Sequence, residues 1–347
     1  MLAAYATKLG GDAPLDNLEI GERPDPQPGP GEVRVRVRAV SLNHHDLFTL
    51  RGIVGYPIQL PRILGCDAAG VVDSYGPNRP AGSPDPGSEV VVYSVTQCGA
   101  CAACLGHDPM LCRRFTMLSD GDLEGSLARY LVVPARNAVP KPGPLDDGQA
   151  ASLGVTFLTA YRMLFVKAAL VPGQSVLVQG AGGGLATAAI QLAAAAGLRV
   201  FASSRSDAKL AVARSLGAVH AVPAGKDAAK AVLSQSGGDG VDAVIESVGE
   251  PTWGTSLRAV RQGGAVVVAG ATAGPNPPAD LARIFWRQLR ILGSTMGTLP
   301  EFLALLKFVE SANIKPLIDA RYALKNAREA FVRLASGEHN GKLIIEI

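Results

Sequence analysis

The chain has 347 residues, and its 33 lysines and arginines against 30 aspartates and glutamates give a net charge of +3. Hydrophobic residues make up 48% of the chain, which excludes a disordered protein, and no segment gathers basic residues as a nucleic-acid or membrane-surface binder would. Because a single core seldom grows beyond about 250 residues, the length predicts two domains.

The N-terminal stretch MLAAYATKLGGDAPLDNLEI lacks the continuous apolar core of a signal peptide. The longest apolar stretch, LATAAIQLAAAAG at 185–197, is too short to span a bilayer and indicates a buried helix. We therefore expect a cytoplasmic protein without a membrane anchor.

The first 150 residues have the pattern of β-structure. The segment EVRVRVRAVSL at 32–42 alternates apolar and polar residues, and AAGVVDSYG and SEVVVYSV continue the pattern. The proline-rich segment between them, GPNRPAGSPDPGSE, is incompatible with a helix or a central strand. This half is therefore predicted to be mainly β, with a surface loop at that segment.

Four cysteines follow with the spacing C-x2-C-x2-C-x7-C: Cys98, Cys101, Cys104 and Cys112. Four thiolates form a closed tetrahedral shell around a metal such as zinc, which leaves no position for water or substrate. Such a metal is structural and takes no part in the chemistry. Two disulfides are the alternative, which a cytoplasmic location and the short spacings disfavour.

From about residue 150 the pattern changes to valine-rich strands separated by amphipathic helices. SVLVQGAGGG, LRVFASS, AVHAV, VDAVIESVG and GGAVVVAGA are the predicted strands. This alternation indicates a doubly wound α/β fold, in which helices cover both faces of a parallel sheet. The chain then forms a helix at PEFLALLKFVES and ends in KLIIEI, a strand expected to rejoin the first half.

A glycine-rich turn, with Gly180, Gly182, Gly183 and Gly184, joins the first of these strands to its helix. Glycines permit a tight turn and a close approach to a pyrophosphate, which binds the free N–H groups at a helix N-terminus. By itself the turn is equally compatible with a plain strand-to-helix connection. Because it opens a βαβ unit, dinucleotide binding is favoured.

The end of the second strand, ASSRSDAK, lacks the acidic residue that would bind the ribose 2′-hydroxyl of NAD. Ser203, Ser204, Arg205 and Lys209 instead suit a 2′-phosphate, so NADPH is predicted over NADH. Asp207 is expected in the first turn of the following helix. The alternative is that Arg205 is only a solvated surface charge.

Taken together, the motifs resemble the medium-chain dehydrogenases and reductases. The resemblance is carried by LEIGERPDPQPGPGEVRVRV, GCDAAGVV, the four cysteines, TFLTAYRML, the glycine-rich turn, LGSTMGT and GKLIIEI. It implies a GroES-like, mainly-β catalytic domain at 1–155 and 297–347, with a lobe at about 95–115 that holds one structural zinc on the four cysteines. A Rossmann domain is implied at 156–296.

The resemblance also locates the three ligand positions of a catalytic zinc, which here are Asn43, Cys66 and Val155. Asparagine is a poor zinc ligand and valine is none, so the catalytic zinc is expected to be absent. As an alternative, Cys66 forms an irregular site with Asp67 and His45. The favoured interpretation of Cys66 is a small buried thiol.

Zinc-free branches of this family are largely quinone and enone reductases, and they carry an Asn-x-x-Asp motif like Asn43 to Asp46. We therefore expect reduction of an activated C=C bond, with Asn43 as an amide donor to the substrate oxygen. His45 is the candidate general acid, or else a polar wall residue, because water can also protonate a delocalised enolate. His44 is expected to face away along a strand, and Tyr56 either caps the pocket or packs within its loop.

The resemblance assigns three more residues to the cofactor. Thr159 corresponds to a threonine beside the nicotinamide, although packing within its helix is the alternative. Gly341 and Lys342 match a position near the cofactor phosphates, and a plain solvated lysine is the alternative there. The family also implies a homodimer formed through Rossmann sheet edges, and a tetramer is compatible.

Two other functions remain open at this stage. One is an alcohol dehydrogenase or ketone reductase that acts on C=O. The other is a non-catalytic NADPH-binding protein. A complete cofactor turn together with a polar pocket motif favours an enzyme.

Overall fold

The computed structural model describes residues 1–52, 58–106 and 108–347. They form two compact units. Unit 1 is Met1–Thr156 with Thr298–Ile347, and unit 2 is Phe157–Gly297. No helix among the described residues is long and apolar enough to cross a membrane.

The strands are β1 (Leu2–Ala6), β2 (Leu18–Glu22), β3 (Glu32–Ser41), β4 (Arg62–Ile63), β5 (Ala69–Tyr75), β6 (Glu89–Val92), β7 (Val95–Thr96), β8 (Thr116–Met117), β9 (Tyr130–Pro134), β10 (Ala138–Pro140), β11 (Ser175–Val178), β12 (Arg199–Ser204), β13 (His220–Pro223), β14 (Val241–Glu246), β15 (Val260–Val268), β16 (Arg290–Gly293), β17 (Ile318–Ala323) and β18 (Lys342–Glu346).

The helices are α1 (His44–Leu50), α2 (Ala102–Leu105), α3 (Asp147–Ala151), α4 (Leu158–Tyr161), α5 (Gly184–Ala195), α6 (Asp207–Ser215), α7 (Ala228–Gln235), α8 (Glu250–Ala259), α9 (Leu281–Trp286), α10 (Leu299–Ser311) and α11 (Ala327–Ser336). Two π-helical segments, Leu153–Phe157 and Arg162–Lys167, flank α4.

Unit 1 is built on a sheet in the order β10-β6-β5-β3-β18-β17, with β9 also paired to β3. Val33, Val35 and Val37 in β3 are buried, as the alternating pattern predicts. The last strand, β18, pairs antiparallel with β3, so the chain end does rejoin the first half. The proline-rich segment between β5 and β6 is largely exposed, as expected for a surface loop.

Unit 2 is a parallel sheet in the order β13-β12-β11-β14-β15-β16. The chain runs outward from β11 to β13, returns to β14 beside β11, and then continues to β16. This is the doubly wound arrangement, so the predicted α/β fold class is confirmed. Ligands of such sheets bind outside the carboxyl ends of the strands where the order reverses, here between β11 and β14.

The segment after β3 differs from the sequence-based expectation. The strand ends at Ser41 and α1 begins at His44, with Asn43 as its N-cap. The carboxylate of Asp46 accepts a hydrogen bond from the Asn43 N–H at 2.8 Å, which helps the short helix to begin there. His44 and His45 are therefore successive residues of a helix, about 100° apart around its axis, rather than on opposite faces of a strand.

Candidate functional site

His45 is the centre of a buried polar group in unit 1. Its Nε2 lies 3.0 Å from Oδ2 of Asp120, and its Nδ1 lies 3.2 Å from the sulfur of Cys66. The His45 and Asp120 side chains are 19% and 5% exposed, and Cys66 is completely buried. Three segments that are distant in sequence thus meet at one imidazole ring.

The charges around His45 favour the imidazolium form. Burial alone would lower the pKa of His45, but the hydrogen bond to Asp120 and the charges of Asp120 and Asp46 outweigh it, so the pKa is raised. Cys66 behaves in the opposite way. Burial, followed by the charges of Asp46, Asp67 and Asp120, raises the pKa of this thiol well above its ordinary value. A protonatable imidazole therefore lies beside a neutral thiol.

Both ends of the Asn43 side-chain amide form hydrogen bonds inside the protein. Its Nδ2 donates to Oδ2 of Asp67 at 2.8 Å and to the Ser41 carbonyl at 3.1 Å. Its Oδ1 accepts a hydrogen bond from Nζ of Lys342 at 2.6 Å. Asn43 is 5% exposed. The prediction that Asn43 donates to a substrate oxygen is therefore wrong, because both ends of the amide serve the fold.

Lys342 was predicted to lie near the cofactor phosphates, but it is buried within unit 1. It is 3% exposed, and its ammonium donates to the Leu42 carbonyl at 2.7 Å in addition to Asn43. Burial lowers the pKa of Lys342, while the nearby charges of Asp67 and Asp46 oppose that shift. Burial raises the pKa of Asp67 to about 7, although Lys342 and Asn43 lower it. Lys342 is thus an internal cation of unit 1 and is not available to cofactor phosphates.

Gly341, the other residue assigned to the phosphates, has a structural role. Its φ is +77°, and a β-carbon there would collide with the carbonyl of Leu317. The glycine therefore permits the close approach of two backbones just before β18. This packing within unit 1 explains the residue without any cofactor contact.

The residues at the three catalytic-zinc positions do not fit that metal. The Asn43 amide oxygen already accepts from an ammonium, and Val155 offers no donor atom. The irregular alternative combines Cys66 with Asp67 and His45, but the donor atoms that lie within 4.8 Å of one another in the described residues belong to His45, Asp46 and Cys66. The two oxygens of Asp46 accept from the N–H groups of Asn43 and Gly65, at 2.8 and 3.0 Å. The remaining thiol is a poor ligand while it is protonated.

The sulfurs of the four cysteines are close enough together to hold a metal ion. Four of their sulfur-to-sulfur distances are 3.8, 3.6, 3.7 and 3.6 Å. A tetrahedral zinc with bonds of 2.3 Å holds its sulfurs about 3.8 Å apart. The N–H groups of Ala100 and Cys101 lower the pKa of Cys98 to about 5, which favours the thiolate. The disulfide alternative is wrong, because all these cysteines are free.

The glycine-rich turn of unit 2 has the conformation that an anion site requires. Gly180 and Gly182 have φ of +70° and +110°, which side chains disfavour. A β-carbon at Gly182 would lie 2.5 Å from Cδ of Lys209, so the lysine stem lies against the turn. Gly183 is the N-cap of α5 and Gly184 its first residue, and no side chain caps this end. The turn therefore fits a pyrophosphate at the helix N-terminus.

Of the residues predicted to bind the 2′-phosphate, the two serines are buried, whereas Arg205 is exposed. Ser203 is 1% exposed and donates its hydroxyl to Oε1 of Gln179, so its assignment to the phosphate is corrected. Ser204 is 8% exposed, whereas Arg205 is exposed just after β12. Asp207 is the first residue of α6, as expected. Arg205 and Lys209 are thus the cations at this edge of the sheet.

Two further assignments have different outcomes. The Thr159 hydroxyl is buried and lies 3.8 Å from the sulfur of Met296, so its place beside the nicotinamide remains a prediction. Tyr56 lies outside the described residues. Asp120 was missed, because nothing in its local sequence marks it and it is 75 positions from His45.

The family models match both units. Residues 29–143 match the alcohol dehydrogenase GroES-like domain, and residues 184–311 match the zinc-binding dehydrogenases. A zinc-type alcohol dehydrogenase-like protein of Schizosaccharomyces pombe is 32% identical over 317 residues, which cover 89% of each chain.

Solved structures resemble the whole chain. An NAD-dependent alcohol dehydrogenase superposes with a TM-score of 0.93 at 37% identity, and the match covers both chains completely. The crotonyl-CoA carboxylase/reductase AntE, in complex with NADP, superposes with a TM-score of 0.90 at 25% identity. That match covers 100% of this chain and 95% of the other. An alcohol dehydrogenase and a crotonyl-CoA carboxylase/reductase thus share this architecture.

Proposed function

Because the chain belongs to the medium-chain dehydrogenases and reductases, we propose that it is an NADPH-dependent reductase of activated C=C bonds or quinones. The observation that supports this most is the identity and bonding of Asn43, Cys66 and Val155 at the catalytic-zinc positions. Without a Lewis acid from these residues, charge that develops on the substrate must meet donors and a proton source. An enolate or a hydroquinone anion delocalises that charge, so it needs fewer hydrogen-bond donors from the site than an alkoxide does.

NADPH, when bound, supplies the hydride, and we assign its binding to unit 2. The N–H groups at the start of α5 would hold the pyrophosphate, and Gly182 lets the Lys209 stem pack closely against the turn. The guanidinium of Arg205 and the ammonium of Lys209 would bind the 2′-phosphate, supported by the absence of a carboxylate at the end of β12.

His45 is the residue of unit 1 that we assign to proton delivery. Its side chain is 19% exposed, whereas those of its neighbours Asp120 and Cys66 are nearly or completely buried. The bond from Nδ1 to the Cys66 sulfur is weak, since a thiol is a weak donor and acceptor. A substrate oxygen is thus the stronger partner for the Nδ1–H of the imidazolium.

We assign one structural zinc to the cysteine cluster. Its four thiolates would fill the coordination shell, so the ion would fix the segment between β7 and β8 and take no part in the reaction. The metal therefore stabilises unit 1, and the chemistry depends on the cofactor and His45.

The substrate class can be tested by comparing matched compounds with purified enzyme and NADPH. We expect oxidation of NADPH with cyclohexenone, benzoquinone or crotonyl-CoA, and little or none with cyclohexanone. The crotonyl thioester is included because of the similar crotonyl-CoA carboxylase/reductase. A higher kcat/KM for cyclohexanone than for cyclohexenone would contradict the proposal.

A second candidate, reduction of C=O, is supported by the similar alcohol dehydrogenases. It predicts turnover of saturated ketones, and of alcohols with NADP in the reverse direction. A non-catalytic role predicts tight NADPH binding without turnover of any of these compounds. The same substrate panel therefore separates all three functions.

A further inference from the structure

Asp120 is held rigidly beside His45. Its N–H donates to the Met117 carbonyl at 3.1 Å, and its own carbonyl accepts from the Leu123 N–H at 2.9 Å. These bonds close two successive turns directly after β8, which share Asp120, and the Asp120 side chain is only 5% exposed. The carboxylate therefore has a fixed position 3.0 Å from Nε2 of His45.

The imidazole is the main partner of this carboxylate. Oδ2 faces His45, and Oδ1 has no hydrogen-bond partner in the part of the chain that the structure describes. A buried carboxylate with one partner bonds it strongly, because leaving the charge unpaired is costly. Nε2 of His45 therefore carries a hydrogen toward Asp120 in both charge states of the ring.

The other groups near the His45 ring do not hold a hydrogen on one of its nitrogens as Asp120 does. Cys66 faces Nδ1 at 3.2 Å, but burial and three nearby carboxylates raise the pKa of its thiol. Asp46 is the next residue of α1, and the backbone N–H groups of Asn43 and Gly65 bind its two oxygens. Lys342 lies beyond these, on the Asn43 amide. Asp120 is therefore the group that determines how the ring is oriented.

We propose that Asp120 is the positioning residue of His45, which it holds by Nε2–H so that Nδ1 is the nitrogen that gives up the proton. In this step the Nδ1–H bond of the imidazolium breaks and an O–H bond of the product enol or hydroquinone forms. The neutral ring then regains a proton from water. The role of His45 as the acid rests on the proposed function. The orientation of its ring by Asp120 does not depend on that function.

The orientation can be tested without substrate, by nitrogen-15 NMR of histidine-labelled protein. The His45 signals are assigned by their loss in His45→Gln. We expect the neutral ring to carry its proton on Nε2 in the wild type, and this preference to weaken in Asp120→Asn. The exposed Asp122→Asn, two residues further on, removes the same charge and should leave the signals unchanged. A folded Asp120→Asn with wild-type His45 signals would overturn the proposal.

Kinetics with the best substrate give a second measurement. Asp120→Asn should lower kcat by about tenfold, less than the roughly hundredfold or more of general acid catalysis because His45 itself remains, and leave KM for NADPH unchanged. Asp120→Glu should restore part of kcat, because it keeps a carboxylate near the ring. If Asp120→Asn does not fold, Asp120→Ser removes the carboxylate in its place in the NMR measurement. Altered His45 signals with unchanged kcat would overturn the catalytic role of the pair. If the wild type turns over no substrate, the proposed function fails while the NMR result still decides the orientation.

Discussion

The ammonium of Lys342 lies 2.6 Å from the side-chain oxygen of Asn43, although the two residues are 299 positions apart in the chain. The contact arises because β18 pairs antiparallel with β3, with Ile344 opposite Ser41. Lys342 lies two residues before Ile344 and Asn43 lies two residues after Ser41, so the antiparallel pairing brings their side chains together. A cation of the protein itself therefore contacts Asn43, the first of the three positions that the family resemblance assigns to a catalytic zinc.

Substitution of Lys342 should destabilise unit 1. Lys342→Met leaves the Asn43 oxygen and the Leu42 carbonyl buried without their charged donor. The expected loss is roughly 1.5–3 kcal/mol of unfolding free energy, the range for hydrogen bonds to charged groups. Urea unfolding measures it, with the exposed Lys325→Met as control, expected within about 0.5 kcal/mol of wild type. Equal stabilities of the two variants would show that Lys342 is not a structural cation.

Local patterns in the sequence account for much of the architecture. The alternation in β3, the valine-rich strands of unit 2 and the glycine-rich turn are properties of neighbouring residues, and so is the spacing of the four cysteines. Each of these features can be recognised within a short segment of the chain; the four cysteines, for example, all lie between residues 98 and 112. The fold class and the cysteine cluster were therefore predictable.

The polar centre was less predictable because it depends on contacts between distant segments. Asp120 meets His45 across 75 positions, and Lys342 meets Asn43 across 299. The short helix α1 was missed because a capping interaction between Asn43 and Asp46 starts it directly after a strand. Ser203 faces Gln179 rather than solvent, which depends on the pairing of β11 with β12. Residue spacing alone carries none of this information.

Substitution of His45 should slow the chemical step. His45→Ala is expected to lower kcat for an enone by about a hundredfold, within the range for loss of a general acid. Added imidazole should restore part of the rate, since the small acid can occupy the space of the lost ring. Stopped-flow measurement of NADPH oxidation tests this. An unchanged rate would assign the proton to solvent.

The wild-type rate should depend on pH with a defined sign. An acid must be protonated to act, so kcat should fall as pH rises through the pKa of His45. Burial opposes protonation, but Asp120 and Asp46 raise the pKa above its ordinary value, which is about 6.5. The falling limb of the kcat profile should therefore lie above that pH. A limb below it would contradict the assignment of His45 as the acid.

Arg205 should determine the preference for NADPH. In Arg205→Ala we expect kcat/KM for NADPH to fall by about tenfold to a hundredfold, the equivalent of one charged hydrogen bond, with kcat/KM for NADH unchanged. Arg214→Ala removes an exposed arginine from the last turn of α6 and is the matched control. A wild-type enzyme that prefers NADH would remove the basis of this prediction.

The β16 edge of the sheet of unit 2 should pair two copies of the chain. β16 is one of the two edge strands of the sheet, and three exposed apolar residues of α9 precede it: Leu281, Phe285 and Trp286, at 70%, 62% and 74%. Exposed edges with apolar surroundings favour strand pairing. Sedimentation velocity should show a dimer, which the double variant Phe285→Ser with Trp286→Ser weakens. Val332→Ser, at an exposed valine of unit 1, should not. A monomeric wild type would contradict this prediction.

The zinc content separates a structural metal from a catalytic one. Elemental analysis should find one zinc per chain, because the four cysteines fit the ion and the residues at the catalytic positions do not. Cys101→Ser should lose that zinc and much of its stability, since binding energy at such a site is folding energy. The folded fraction of Cys101→Ser should nevertheless transfer hydride at the wild-type rate in single-turnover measurements. Two zinc ions per wild-type chain would instead mean that His45 and Cys66 bind a metal, and reduction of C=O would become the better-supported function.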